Sequence, residues 1–121
     1  MEKNKTLVLG ASDNPERYSN MAIRNLRRHE HEVVAIGLKE TEVGDVHVTK
    51  ENPSVKDVDT VTLYLNPRHQ IPYYDYILSL EPRRIIFNPG TENPELQAMA
   101  ESKGIECLDA CTLVMLSTGQ Y

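Results

Sequence analysis

Four short apolar runs, Leu7-Val8-Leu9, Val33-Val34-Ala35-Ile36, Val61-Thr62-Leu63-Tyr64-Leu65 and Ile85-Ile86-Phe87, recur along the chain, with helix-patterned segments after the first and third. Continuous runs of this length, rich in β-branched residues, suit strands buried on both faces, as in a parallel sheet covered by helices. A fifth run, Ile105-Glu106-Cys107-Leu108, is polar in its middle and reads as an edge strand. Between the first two runs, Ser19 to Glu30 places Ala22, Ile23 and Leu26 on one side, which predicts an amphipathic helix of about three turns. After the third run, Ile71, Tyr74, Ile77 and Leu78 follow the helical period, with Pro67 and Pro72 near the start, where a missing N–H is tolerated. Asn93-Pro94 then offers an N-cap and a first helical residue ahead of Leu96, Met99 and Ala100, and Gly104 closes that helix. Thr112 to Leu116 suits a last short helix.

This alternation predicts an α/β protein: a single Rossmann-like domain over residues 1–121 with a five-stranded, mainly parallel sheet flanked by helices. Lys39 to Asp59 breaks the rhythm. It is charged, contains Gly44 and Pro53, and has one alternating patch at Val46-His47-Val48, so an irregular connection with a short extra strand is expected there.

Charge and cysteine content exclude several functions. The chain carries 13 Lys and Arg against 18 Asp and Glu, and its longest basic runs are the pairs Arg27-Arg28 and Arg83-Arg84. Nucleic acid is therefore not expected as a partner, because backbone binding rests on clustered positive charge. No apolar run approaches a membrane span and the first residues lack a leader pattern, which predicts no membrane association and a cytoplasmic location. Cys107 and Cys111 read as two free, partly buried thiols, and His29, His31, His47 and His69 are too scattered to complete a metal site.

In an open parallel sheet a ligand sits beyond the carboxyl ends of the strands. The residues there are Gly10-Ala11-Ser12, Gly37-Leu38-Lys39, Asn66-Pro67-Arg68, Asn88-Pro89-Gly90 and Asp109-Ala110-Cys111. Gly10 either lets a phosphate approach the backbone or only makes a tight strand-to-helix turn. Ser12 and Ser19 add hydroxyls, and Arg17 adds a fork suited to phosphate, unless Asp13 or Glu16 holds it at the surface. The glycine pattern G-x-G-x-x-G is absent, no acid directly ends the second strand to hold a ribose, and no G-K-[ST] occurs, so neither a usual NAD site nor a Walker loop is predicted. Tyr73, Tyr74 and Tyr76 on one helix must point in different directions.

The stretch LVLGASDNPERYSNMA, residues 7 to 22, resembles the opening of the stand-alone CoA-binding domain proteins, relatives of the CoA-binding domain of the succinyl-CoA synthetase α subunit. Gly10, Ala11, Ser12, Pro15 and Ser19 match the family's G-A-S-x-x-P-x-x-x-S, and Arg17 stands at a frequently basic place. The likeness extends over essentially the whole chain, including Asn66-Pro67, Asn88-Pro89-Gly90 and the late Cys111. It implies a Rossmann-like fold and coenzyme A or an acyl-CoA as bound ligand, with Gly10, Ala11, Ser12, Arg17 and Ser19 around the phosphates. Gly37, Lys39, Asn66, Pro67, Asn88, Pro89 and Gly90 would line the rest of the groove. Two positions depart from the family: Gly37-Leu38 stands where many relatives have Asn-Pro, and Ala110 where many have Arg before the cysteine.

No catalytic constellation emerges. Cys111 reads as a packing residue and His69 as a solvated one. The expectation is a small-molecule nucleotide-binding protein without assigned catalysis. The alternatives are an oxidoreductase or acyl-handling enzyme with an irregular NAD(P) or CoA site, and a ligand-free homodimeric interaction module.

Overall fold

The structure, a computed structural model, describes residues 3–121. Seven strands form one sheet: β1 (Thr6–Ala11), β2 (Val33–Gly37), β3 (Thr41–Val43), β4 (Val46–Thr49), β5 (Thr60–Leu63), β6 (Arg84–Phe87) and β7 (Glu106–Asp109). They lie side by side as β3-β4-β2-β1-β5-β6-β7, and every neighbouring pair is parallel except β3 with β4. Taken along the chain without β3, the parallel strands stand in the doubly wound order, with the chain reversing direction across the sheet at β1.

The sheet thus has seven strands where five were expected, and the two additions fall in the segment that broke the rhythm. Residues 38–59 offer no apolar stripe for a crossover helix. The chain instead folds back in the plane of the sheet as a hairpin, turning at Gly44-Asp45 with Gly44 at φ +60°. Three residues of β3 supply the return path that lets β4 run parallel to β2. Val43, Val46 and Val48 face inward while Glu42 and His47 face solvent, a half-buried pattern unlike that of the central strands. β7 is an edge strand as expected, its Glu106 and Asp109 exposed.

The helices are α1 (Tyr18–Arg28), α2 (Pro67–Gln70), α3 (Tyr74–Ser79), α4 (Pro94–Glu101) and α5 (Thr112–Ser117). The helix expected after the third apolar run is divided. Pro72 has no N–H to bond the preceding turn, and Ile71–Tyr73 tighten into a 3-10 turn between α2 and α3. The cap of α4 is as read: the Asn93 side chain accepts from the N–H groups of Glu95 and Leu96 with Pro94 next in line.

Alternate residues of each central strand feed two cores. Leu7, Leu9, Val61, Leu63, Ile85 and Phe87 pack under α3, α4 and the connection through Val55 and Val58. Val8, Ala35, Ile86 and the hairpin valines pack with Ile23, Leu26, Met115 and Leu116 of α1 and α5. Burying both faces is what makes the central runs continuously apolar.

At the amino ends of the strands Tyr121 is held by buried polar groups. Its ring lies 4.5 Å from the Arg84 guanidinium and edge-on to His31, its hydroxyl bonds Thr6, and its backbone oxygen accepts from Arg84 and Asn4. Arg83 forks onto Asp59. Both members of that basic pair are therefore structural.

Candidate functional site

A cleft of about 680 Å³ opens beyond the carboxyl ends of β1, β2 and β5. Its walls are Gly10 to Asp13, Arg17 to Ser19, Ile36 to Lys39, Thr41, Tyr64, Leu65, Tyr73, Pro89 and Thr91. The volume lies in the range of small-molecule and cofactor sites, which occur at this position in doubly wound sheets.

Gly10 forms the floor for a reason the sequence could not disclose. Ala11, not Gly10, pairs with Gly37, so β1 bulges at Gly10, which has φ +98°. A Cβ there would stand 2.9 Å from the Tyr64 carbonyl carbon and 3.0 Å from its oxygen. The glycine is thus required by the neighbouring strand's backbone. Gly37 is crowded in the same way, since its Cβ would lie 2.3 Å from the Ala11 oxygen. The missing side chains on β1 and β2 let the two strand ends approach one another below the cleft.

The loop from β1 to α1 is held by its own short polar residues. Ser12 Oγ accepts from the Asn14 N–H, Asn14 Oδ1 accepts from the Glu16 N–H, and Asn20 Nδ2 donates to the Ser12 carbonyl. These turns place Arg17 at the N-cap of α1, where its side chain makes no capping bond. Among the described residues, no acceptor engages the N–H groups of Tyr18 and Ser19, so the first turn of this eleven-residue helix presents donors and positive dipole to the cleft. Arg17 is exposed, and among the described residues its guanidinium has no ion pair.

Asp13, one of the two acids that could have paired with Arg17, is engaged elsewhere. Its Oδ2 lies 3.1 Å from Lys39 Nζ and accepts from the Thr41 hydroxyl at 3.0 Å. The bonds to Lys39 and then Thr41 hold the Asp13 carboxyl below the usual carboxylate range. This clasp ties the β1 loop to the segment after β2. Leu38, 93% exposed, and Tyr18, 70% exposed, stand apolar at the mouth.

Eight of the positions singled out in the sequence, Gly10, Ala11, Ser12, Arg17, Ser19, Gly37, Lys39 and Pro89, line this one cleft. Asn66, Pro67, Asn88 and Gly90 do not line it. Asn66 caps α2 by accepting from the His69 N–H, and Pro67 begins that helix. Asn88 is buried: its amide donates to Thr62 Oγ1 at 2.7 Å and to the Leu63 carbonyl at 2.9 Å, and accepts from the Thr112 N–H at 2.9 Å. It joins β5, β6 and α5 behind the cleft. Gly90, at φ +91°, turns the chain so that its N–H reaches Glu92.

Tyr64, Tyr73, Leu65 and Thr91 are wall residues that sequence reasoning did not select. Tyr64 and Leu65 end the third apolar run, which was the available signal for them; Thr91 had none. Burial pushes the Tyr64 phenol up to about 12, and its hydroxyl lies among Thr62 and Thr112 without a hydrogen bond of normal geometry. The three neighbouring tyrosines diverge as their spacing requires. Tyr73 faces the cleft, Tyr74 bonds Glu95, and Tyr76 bonds the Pro53 carbonyl. Gln70, fully buried, donates to the carbonyls of Leu65 and Thr91 and so fixes two wall segments to one another.

Both cysteines are free and half-buried, and neither lines the cleft. Burial, with Glu101 and Asp109 nearby, pushes the Cys107 thiol up to about 11, which makes it a poor nucleophile. Among the described residues no group of His, Cys, Asp and Glu is arranged to hold a metal ion, and no helix is long and apolar enough to cross a membrane.

The fold and the cleft define the class: a single α/β domain with a parallel-rich sheet, covered by helices on both faces, whose strand ends and first helix N-terminus form a concave site. Residues 4–117 match the CoA binding domain family, and the chain belongs to it. A crystal structure described only as an uncharacterized protein superposes with a TM-score of 0.97 at 48% identity, with both chains covered over 100% of their lengths. A hypothetical protein from Pyrococcus horikoshii OT3 shares 22% identity at a TM-score of 0.86, covering 97% of this chain and 84% of that one. A Thermus thermophilus structure, at 18% identity and a TM-score of 0.83, covers 98% of this chain and 91% of its own. The last two are likenesses of fold. No curated protein matches the chain.

Proposed function

We propose that the protein binds coenzyme A or an acyl-CoA in this cleft, with the ligand's phosphates at the β1 to α1 turn. The observation that carries the reading is Arg17, a guanidinium without an ion pair among the described residues, on the same cleft wall as the uncapped first turn of α1. A planar fork and a row of free N–H groups are complementary to a pyrophosphate. Membership of the CoA binding domain family supports this choice of nucleotide. Within the reading, Ser12, Ser19 and the backbone at Ala11 hold the phosphate side. Gly37 and Lys39 line the second wall, and Tyr73 and Pro89 face the remainder. Asn88 joins β5, β6 and α5, and Asn66, Pro67 and Gly90 shape the turns that follow β5 and β6. The role is binding, in the cytoplasm, with no catalytic group assigned.

A thermal-shift panel of CoA, acetyl-CoA, NAD, NADP and ATP tests the choice, since a ligand that binds only the folded state raises its Tm. CoA or acetyl-CoA is expected to raise it most, and a larger shift with NAD would refute the reading. Calorimetric titration of Arg17→Ala should then show CoA binding weakened by about 1.5–3 kcal/mol, the range for hydrogen bonds to charged groups, with the Tm of the free protein unchanged. Arg28→Ala, at the far end of α1 and bonded to Asn25, is the control. Equal CoA affinity for the wild type and Arg17→Ala would remove Arg17 from the site.

A further inference from the structure

We propose that Asp13 gates Lys39: in the free protein the carboxylate holds the ammonium across the cleft mouth, and a phosphate group of the ligand takes it over on binding. The inference rests on the nucleotide reading above and adds to it a group that works against the ligand until it arrives.

Two of the cleft's positive groups are held differently. Arg17 has no ion pair among the described residues, whereas Lys39 lies 3.1 Å from Asp13 and the same carboxylate oxygen accepts from Thr41. Asp13 and Lys39 both line the cleft, on opposite segments, one after β1 and the other after β2. Lys39 remains 69% exposed in its side chain, so its four-carbon stem is free to redirect the ammonium without disturbing the core. Asp13 is less mobile, because the Thr41 hydroxyl anchors it to the start of β3.

The charges decide what such a pair does. An exposed ion pair of this kind contributes little to folding. A phosphate arriving beside Arg17 meets a neutralised Lys39 and a carboxylate that repels it. Lys39 gains more by turning to a group of higher negative charge than by staying with one carboxylate, and the pair opens. Asp13 then imposes a threshold. A ligand must present enough negative charge to win the ammonium, which favours phosphate-rich nucleotides over singly charged molecules of similar shape.

Asp13→Asn tests this cleanly, since the amide oxygen can still accept from Thr41 while the charge is removed. Titrating CoA into the wild type, Asp13→Asn and Lys39→Met at low and high salt reads the gate. At low salt Asp13→Asn should bind CoA about fivefold more tightly, the effect of one unit charge at about 4 Å in a water-like dielectric, and Lys39→Met correspondingly more weakly. Both differences should shrink at high salt. Unchanged or weaker CoA binding by Asp13→Asn would overturn the gate while leaving the nucleotide reading intact; weaker binding would make Asp13 a ligand acceptor instead. Absence of CoA binding by the wild-type chain would remove both.

Discussion

Replacing Gly10 by alanine separates backbone strain from collision with a neighbouring strand, because the structure supplies a matched control. Gly10 and Gly90 share a left-handed φ of nearly the same size, +98° and +91°. They differ in what a Cβ would meet: at Gly10 it stands 2.9 Å from the Tyr64 carbonyl carbon, and at Gly90 it meets nothing within 4 Å. Left-handed strain at a non-glycine residue costs about 1–3 kcal/mol, and this is the whole expected effect of Gly90→Ala. At Gly10 the added methyl presses on the backbone of Tyr64, just past β5, whose N–H donates to the Leu9 carbonyl of β1, so it cannot simply move aside. Overpacking of that kind adds about 1–3 kcal/mol, which brings Gly10→Ala to about 2–6 kcal/mol. At roughly 4 °C of Tm per kcal/mol for a domain of this size, Gly10→Ala should melt about 8–24 °C below the wild type and Gly90→Ala about 4–12 °C below it. Urea titration of all three proteins at one pH gives the free energies directly. Unfolding free energies for the two variants that agree to within about 0.5 kcal/mol would refute the crowding argument and return Gly10 to an ordinary turn glycine.

Two further outcomes concern stability. His31 is fully buried and accepts from the Asn4 N–H through Nδ1; burial first, then the charges of Lys3, His29 and Arg84, depress its pKa. The unfolded chain therefore binds the extra proton more readily, so this contribution is complete above the unfolded value of about 6.5 and is lost as pH falls from there towards the depressed folded value. His47 works in the opposite sense: bonds to Glu42 and then Glu40 raise its pKa, so its contribution is present at low pH and lost as pH rises through the raised value. Urea midpoints from pH 5 to pH 8 should show His31→Gln removing the acid-side loss; a variant with the wild type's full loss would contradict this. Tyr121→Ala strips the ring from His31 and the buried Arg84, and should cost about 3–5 kcal/mol as for other buried aromatics. Equilibrium unfolding that shows a loss under about 1 kcal/mol would mean that the clamp does not hold the strand ends.

The apolar runs and their spacing were enough for the layered α/β class and the positions of the central strands, Asn93-Pro94 marked a helix start by its capping chemistry, and the strand ends named as candidates are where the cleft opens. Such features are local: a run is continuous because both its faces are buried, and a cap is chosen by the few N–H groups beside it. Which chain segments become neighbours is not local, and the tertiary structure alone decided it. It turned residues 41–49 into a hairpin, because β2 had an open edge and no amphipathic helix was available to cover a crossover. It gave Gly10 its reason in the backbone of Tyr64, tied Asn88 to Thr62 and Thr112 behind the cleft, and paired Asp13 with Lys39 so that Arg17 stands free of it. A residue's type limits the bonds it can make. Only the packing of distant strands selects the partner.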